Sequence, residues 1–324
     1  MPQPLTKPHI QEATDIFKIE YPVIEAFTKE QLKVFWTADE IKVEKDVHDI
    51  LTNCTEAERH GIFTVLKLFS LYEMKAGGEY WTGRFMNTFK RHELQAMAAT
   101  FGMFELAVHK PFYNKINELL NATDDTFYTD YVNTPVLAAR MQFIDSIIDH
   151  PDDLVSLAGF SMVEGVVLYS SFAFLKHFQS NGKNKLMNIV RGINFSVRDE
   201  NLHAMAGAYC YGELKRQLGV EGPRQQIQEM AEQVYLHETA IIDMIFEEGE
   251  IKGITANDMK LFVMNRVDHC LSQLGIHPIF QANDHVDTVS EWFYKGINNF
   301  QYNDIFTGQG REYTRGWSEK GFVW

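Results

Sequence analysis

A chain of 324 residues with 45% hydrophobic side chains is ordinary globular material, and no Gly-rich or Pro-rich linker divides its first 300 residues, so one domain over 1–299 is expected ahead of a short tail. The net charge of −14 argues against nonspecific binding to nucleic acid or to an anionic membrane, both of which rely on basic patches. Cys54, Cys210 and Cys270 stand far apart with no Cys-x-x-Cys pair, which argues against a disulfide framework, a zinc cluster and a dithiol site. No apolar stretch follows a basic start and no run of about 18 apolar residues is expected, so a cytoplasmic location is expected too.

Apolar residues recur at helical spacing almost throughout. A short helix is expected near 28–35, opening the segment Gln31-Leu32-Lys33-Val34-Phe35-Trp36-Thr37-Ala38-Asp39-Glu40-Ile41. A long one over 56–88 carries Glu73 isolated among apolar residues. The next, over 91–120, contains Phe104-Glu105-Leu106-Ala107-Val108-His109, whose Glu and His are four apart and therefore share a face. Pro111 removes the hydrogen bond to the carbonyl of Ala107, and the fault predicts a kink or a π-bulge over 105–109. Asn121-Ala122-Thr123-Asp124-Asp125 is expected to close this helix. Helices follow over 135–149 and 152–179, the second with Glu164 alone in an apolar run and Asn181-Gly182 as its break. The helix over 184–217 holds Val197-Arg198-Asp199-Glu200-Asn201-Leu202-His203-Ala204, a second Glu and His on one face, three apart. Helices over 223–249, 257–273 and 286–299 complete the series. From 300 to 324, Gly308, Gly310, Gly316 and Gly321 break helical pattern while Tyr302, Tyr313, Trp317, Phe322 and Trp324 remain, as in a flexible tail that folds upon a partner's groove.

A buried carboxylate without a partner must be protonated, paired or bound to a cation. Taken singly, Glu73 or Glu164 reads equally well as a surface residue. Four carboxylates and two imidazoles from four helices solve the problem together, with two divalent ions supplying the missing charge. One Glu from each of two helices and a Glu/His pair from each of two others is the pattern of an all-α, ferritin-like bundle with a dimetal-carboxylate core. Oxygen-rich ligation with two nitrogens and no sulfur suits iron or manganese better than zinc.

Over roughly residues 20–324 the chain resembles the small, radical-generating subunit of class I ribonucleotide reductase. The resemblance rests on the Gln31–Ile41 segment, on Arg198-Asp199-Glu200-x-x-His203 and on the aromatic tail. It implies one metal at Glu73, Glu105 and His109 and another at Glu164, Glu200 and His203, with some carboxylates bridging. It implies a di-iron pair, with di-manganese or manganese/iron as alternatives. Tyr113 would carry the radical, walled by Phe112, Leu168 and Phe172. Trp36 and Asp199 would relay to the His of the first metal, and Tyr313, rather than Tyr302, would pass the radical to the large catalytic subunit that reduces ribonucleotides to deoxyribonucleotides. A homodimer and a flavodoxin-like activase are the other implied partners. The sequence departs from the family at its first ligand, usually an aspartate and here Glu73 with Glu79 as a substitute, and at the four-residue Glu105/His109 spacing. The alternative is a dimetal oxidase or hydroxylase acting on a small apolar substrate, which would keep the six ligands without needing Trp36, Asp199 or the tail.

Overall fold

The computed structural model describes residues 7–282 and 288–298, and among these there is no strand, only an isolated bridge between Ile251 and Ile254. In chain order the helices are α1 (Pro22–Lys33), α2 (Glu56–Met74), α3 (His92–Phe104), α4 (Lys110–Leu119), α5 (Asp125–Asn133), α6 (Pro135–Ile148), α7 (Asp153–Met162), α8 (Tyr169–Lys176), α9 (Met187–Leu218), α10 (Arg224–Ile245), α11 (Ala256–Gln273) and α12 (Thr288–Asn298). Wider π-helical segments run on from three of them: Lys75–Phe85 after α2, Glu105–His109 between α3 and α4, and Val163–Val167 after α7. The long rod α9 packs along α7, α1 along α3, α2 along α4, and α10 along α11.

Local chemistry sets the rod ends. Thr55 Oγ1 accepts from the Glu58 amide at 3.2 Å while Glu58 Oε2 accepts from the Thr55 amide at 3.0 Å, a reciprocal cap that starts the helix leading to Glu73. Gly219 ends α9 with φ at 67°, a left-handed turn that costs glycine little. Between the rods the interior is filled by fully buried rings, among them Trp36, Phe69, Tyr72, Trp81 and Tyr113. Each such ring is worth roughly 1.5–3 kcal/mol of burial.

Three expectations change. The first helix begins at Pro22 rather than near 28, because proline at the first turn starts it and the buried stripe Ile24, Phe27, Gln31 begins there. The 121–125 segment does more than close a helix: Asp124 Oδ1 accepts from the Phe127 amide at 2.7 Å and opens α5, which periodicity did not reveal. Finally, Asp153–Gly182 contains a stretch long and apolar enough to cross a membrane, contrary to the expectation of no such run, and that stretch is buried inside the bundle.

Candidate metal centre

Glu73 lies in the last turn of α2, Glu105 and His109 at the two ends of one π segment, Glu164 in another, and Glu200 and His203 one turn apart on α9. All six are at most 1% exposed. The irregularity expected from Pro111 is present as the Glu105–His109 π segment. Ligand atoms of Glu73, Glu105, His109 and Glu200 lie within 4.8 Å of one another, as do those of Glu105, Glu164, Glu200 and His203. Glu105 and Glu200 belong to both quartets, so they stand where bridging ligands would. Glu79 is instead exposed, in an ion pair with Lys75 at 2.9 Å.

Both imidazoles turn Nδ1 toward the carboxylates. His109 Nδ1 is 2.8 Å from Glu105 Oε2, 3.3 Å from Glu200 Oε1 and 3.7 Å from Glu73 Oε2. His203 Nδ1 is 2.7 Å from Glu105 Oε1, 3.8 Å from Glu200 Oε2 and 3.9 Å from Glu164 Oε2. Yet both oxygens of Glu73, both of Glu200, Glu105 Oε1 and His203 Nδ1 make no hydrogen bond. Buried ionisable atoms left so cost several kcal/mol each unless something charged sits among them. Four carboxylates carry the charge that two divalent cations balance, and hard oxygens with two imidazoles are the donor set of iron or manganese. The residues fit a dimetal site.

The protonation pattern without metal makes the same point. Burial and the neighbouring Glu105 push the Glu73 carboxyl well above its ordinary range, and burial with Glu105 and Glu164 does the same to Glu200. Burial also opposes the charge on Glu105, but His109 and His203 outweigh it and hold that carboxyl well below. Burial would lower both imidazoles; the surrounding carboxylates, Glu105 foremost, instead raise His109 strongly and His203 to about 9. Protons therefore occupy the places that cations would take.

The partners behind these six residues are hydrogen-bonded in turn. Trp36 Nε1 donates to Asp199 Oδ2 at 2.8 Å, and the same oxygen is 3.1 Å from His109 Nε2. Arg198 Nη2 reaches Asp199 Oδ1 at 3.4 Å, so the relay contact and the plain salt bridge coexist. On the other side, Gln31 Oε1 accepts from His203 Nε2 at 3.1 Å. Trp81 Nε1 donates to Glu164 Oε1 at 2.6 Å, and Tyr72 Oη to Glu164 Oε2 at 3.3 Å. Sequence reasoning gave Gln31, Trp81 and Tyr72 no role. Gln31 had a detectable signal, a polar residue on the apolar stripe of α1, whereas Trp81 and Tyr72 read as ordinary core.

Tyr113 in α4 is fully buried and donates to Ser196 Oγ at 3.0 Å. Its ring stacks on Phe69 at 4.2 Å between centroids and tilts against Phe112 at 5.1 Å. Of the expected wall, Phe112 touches the ring, Phe172 stacks on Phe69 at 5.6 Å, and Leu168 is buried just ahead of α8. Phe69 was not anticipated. Tyr302 and Tyr313 lie outside the described residues.

Comparison with known proteins agrees with this geometry. The family described as "Ribonucleotide reductase, small chain" matches residues 13–287. A ribonucleoside-diphosphate reductase small subunit of Dictyostelium discoideum is 25% identical over 325 residues, covering 95% of this chain and 89% of that protein. The ribonucleotide reductase R2 subunit from Clostridium botulinum superposes with a TM-score of 0.78 at 19% identity, over 88% of this chain and 92% of that one. The dimanganese(II)-NrdF of Streptococcus sanguinis superposes with a TM-score of 0.72 at 19% identity, over 86% and 98%.

Proposed function

The chain belongs to the ribonucleotide reductase small-chain family, and from that premise we propose that it holds two metal ions in the buried cluster, keeps one oxidising equivalent on Tyr113, and delivers it to a separate large subunit that reduces ribonucleotides. One ion would take Glu73, Glu105, His109 and Glu200, the other Glu105, Glu164, Glu200 and His203. Iron is the first choice, with di-manganese and manganese/iron pairs the alternatives that the same donors accept. When bound, the ions supply the reduction of dioxygen and the oxidising power.

The chain's own residues do the rest. Tyr113 can give up one electron only if its phenolic proton moves, and Ser196 Oγ is the atom facing that proton. Phe69 and Phe112 exclude water from the ring and so protect the stored equivalent. Asp199 fixes the ring of His109 through Nε2, leaving Nδ1 to the cluster, and joins it to Trp36. The observation that carries the reading is this unbroken line of contacts, 2.8 Å and 3.1 Å, leading outward from the cluster. A dimetal oxidase would have no use for it, and that alternative is not favoured. Docking of residues 300–324, including Tyr313, on the large subunit belongs to the same proposal, as do a homodimer and action in the cytoplasm.

The test is to load metal-free protein with Fe(II), expose it to oxygen and record the electron paramagnetic resonance spectrum after minutes. A stable tyrosyl signal in the parent, lost in Tyr113→Phe, is expected. Removing residues 300–324 should leave that signal intact while abolishing turnover with the large subunit. Two bound metals without any stable tyrosyl signal would rule out Tyr113 as the store.

A further inference from the structure

We infer that Arg266 is a positioning residue for Glu164 and that Tyr294 holds Arg266 in place, so that α12, the helix leading toward the tail, also sets one ligand of the metal centre. The inference deepens the reading of the cluster as a two-metal site and rests on it. Glu164 lies in the Val163–Val167 π segment, where Trp81 Nε1 donates to one of its carboxylate oxygens at 2.6 Å and Tyr72 Oη to the other at 3.3 Å. Those contacts orient the carboxylate. Its backbone is fixed separately: Arg266 donates from Nε at 3.0 Å and from Nη2 at 2.7 Å to the carbonyl oxygen of Gly165, the next residue. Two charged donors of one planar fork fix that peptide in direction as well as distance, which a single ammonium does not.

A buried guanidinium is costly unless paired, and Arg266, 3% exposed, pairs with no carboxylate among the described residues. Its charge meets dipoles and a ring instead. Nη1 donates to Tyr294 Oη at 2.9 Å, and the guanidinium carbon stands 4.0 Å from the centroid of the Tyr169 ring. Every nitrogen of the fork is therefore in use, Nε and Nη2 on the segment that carries Glu164 and Nη1 on α12.

The residue before Tyr294 seats α12 where this contact requires. Phe293 is fully buried, its ring centroid 4.8 Å from that of Phe262 and 5.9 Å from that of Tyr169, with the Lys176 amine 4.3 Å away. Phe262 and Arg266 are four apart on α11, so Phe293 and Tyr294 grip one face of one turn. Asn298 ends α12, and the stretch proposed to dock on the large subunit follows directly. Order imposed on that stretch reaches α12 first, then Arg266, then the peptide that follows Glu164. Such coupling is reciprocal: what α12 does for metal binding, metal binding does for α12.

The experiment is a Mn(II) titration of metal-stripped full-length protein against a competing chelator, with folding checked by circular dichroism. It compares the parent, Arg266→Met, Tyr294→Phe, Glu164→Ala, and Glu164→Ala combined with each of the other two. Arg266→Met is expected to weaken one ion by about 10–100-fold and leave the other nearly unchanged. Tyr294→Phe, which removes a hydroxyl and keeps the ring, should weaken the same ion by less. Because both act through Glu164, adding either to Glu164→Ala should leave the remaining affinities unchanged. Equal weakening of both ions, or a further loss on top of Glu164→Ala, overturns the inference, since either marks a general effect on the fold. Should Arg266→Met fail to fold, Tyr294→Phe decides by the same two criteria. Hydrogen exchange reads the reverse direction: amides of α12 in the parent should exchange more slowly with Mn(II) bound, and the difference should shrink in Tyr294→Phe. An α12 indifferent to metal, or a Tyr294→Phe protein identical to the parent, overturns the link to α12. A parent that binds two ions as tightly as its Arg266 and Tyr294 variants overturns the inference alone, whereas a parent that binds fewer than two overturns the metal-pair reading and the inference with it.

Discussion

Gln31 and Asp199 have the same task at opposite ends of the cluster: each holds the Nε2 of a histidine so that Nδ1 faces the carboxylates. A neutral acceptor behind His203 and a charged one behind His109 should tune the two ions differently, the carboxylate raising the basicity of its imidazole more. Gln31→Leu removes the acceptor at little change in volume. It is expected to weaken one of the two metals by about 10–100-fold and leave the other nearly unchanged, as read by competition titration with a chelator. Equal weakening of both ions would show that Gln31 acts on the fold and not on His203. At this scale the buried cluster of six candidate ligands was legible in sequence because carboxylates and imidazoles standing in apolar helical text are chemically anomalous. Their supporting residues were not: Trp81, Tyr72 and Phe69 are large rings in a large core, and nothing in their spacing tells a hydrogen-bonded ring from a packed one.

Helical register explains why the cluster forms where it does. Glu105 and His109, four apart, share a face, and the turn between them is a π segment that ends α3 and leads into α4. Glu164 occupies a second such segment, and this one is held from outside: Arg266 donates from Nε at 3.0 Å and from Nη2 at 2.7 Å to the carbonyl of Gly165. Gly165 is needed for close approach, since a Cβ there would collide with Cys270 Sγ and press on Ala204 Cβ at 3.3 Å. Gly165→Ala should therefore cost about 1–3 kcal/mol by overpacking and lower metal occupancy by displacing Glu164. Adding Cys270→Ala should restore most of both, measured by thermal denaturation and metal content. Failure of the second substitution to rescue would place the strain elsewhere. Pro111 gave the first bulge away in the sequence. The Val163–Val167 and Lys75–Phe85 segments contain no proline, so no such signal marked them in the sequence.

At the scale of the whole molecule, the all-helical architecture was readable because amphipathic periodicity repeats over most of the rods. Membership of the bundle core was less so: the apolar stretch within Asp153–Gly182 is buried in the bundle, although by length and composition it would equally suit a membrane span. Such a core holds four carboxylates and two imidazoles only if something offsets their charge, and without metal that something is protons. His203 is raised to about 9 in the folded chain, so it keeps a proton that the unfolded chain releases near 6.5. Its stabilising contribution is complete below about 6.5 and lost as pH climbs to about 9, on the order of 3 kcal/mol over the window. His109 is raised as well and adds to the same slope; Glu73 and Glu200, also raised, have the same sign from the ordinary carboxylate range upward. Glu105, held low, contributes stability that is present above the ordinary carboxylate range and lost only as pH falls below it, outside this window. Bound cations replace the protons and erase the slope. Chelator-treated protein is therefore expected to lose on the order of 5–10 °C of Tm between pH 6.5 and 9 relative to Mn(II)-loaded protein. Groups remote from the cluster, such as Glu238 with its carboxyl raised by burial to about 7, act alike on both forms and cancel in the difference. Two parallel Tm curves across that range would mean that His109 and His203 do not hold protons where the metals bind.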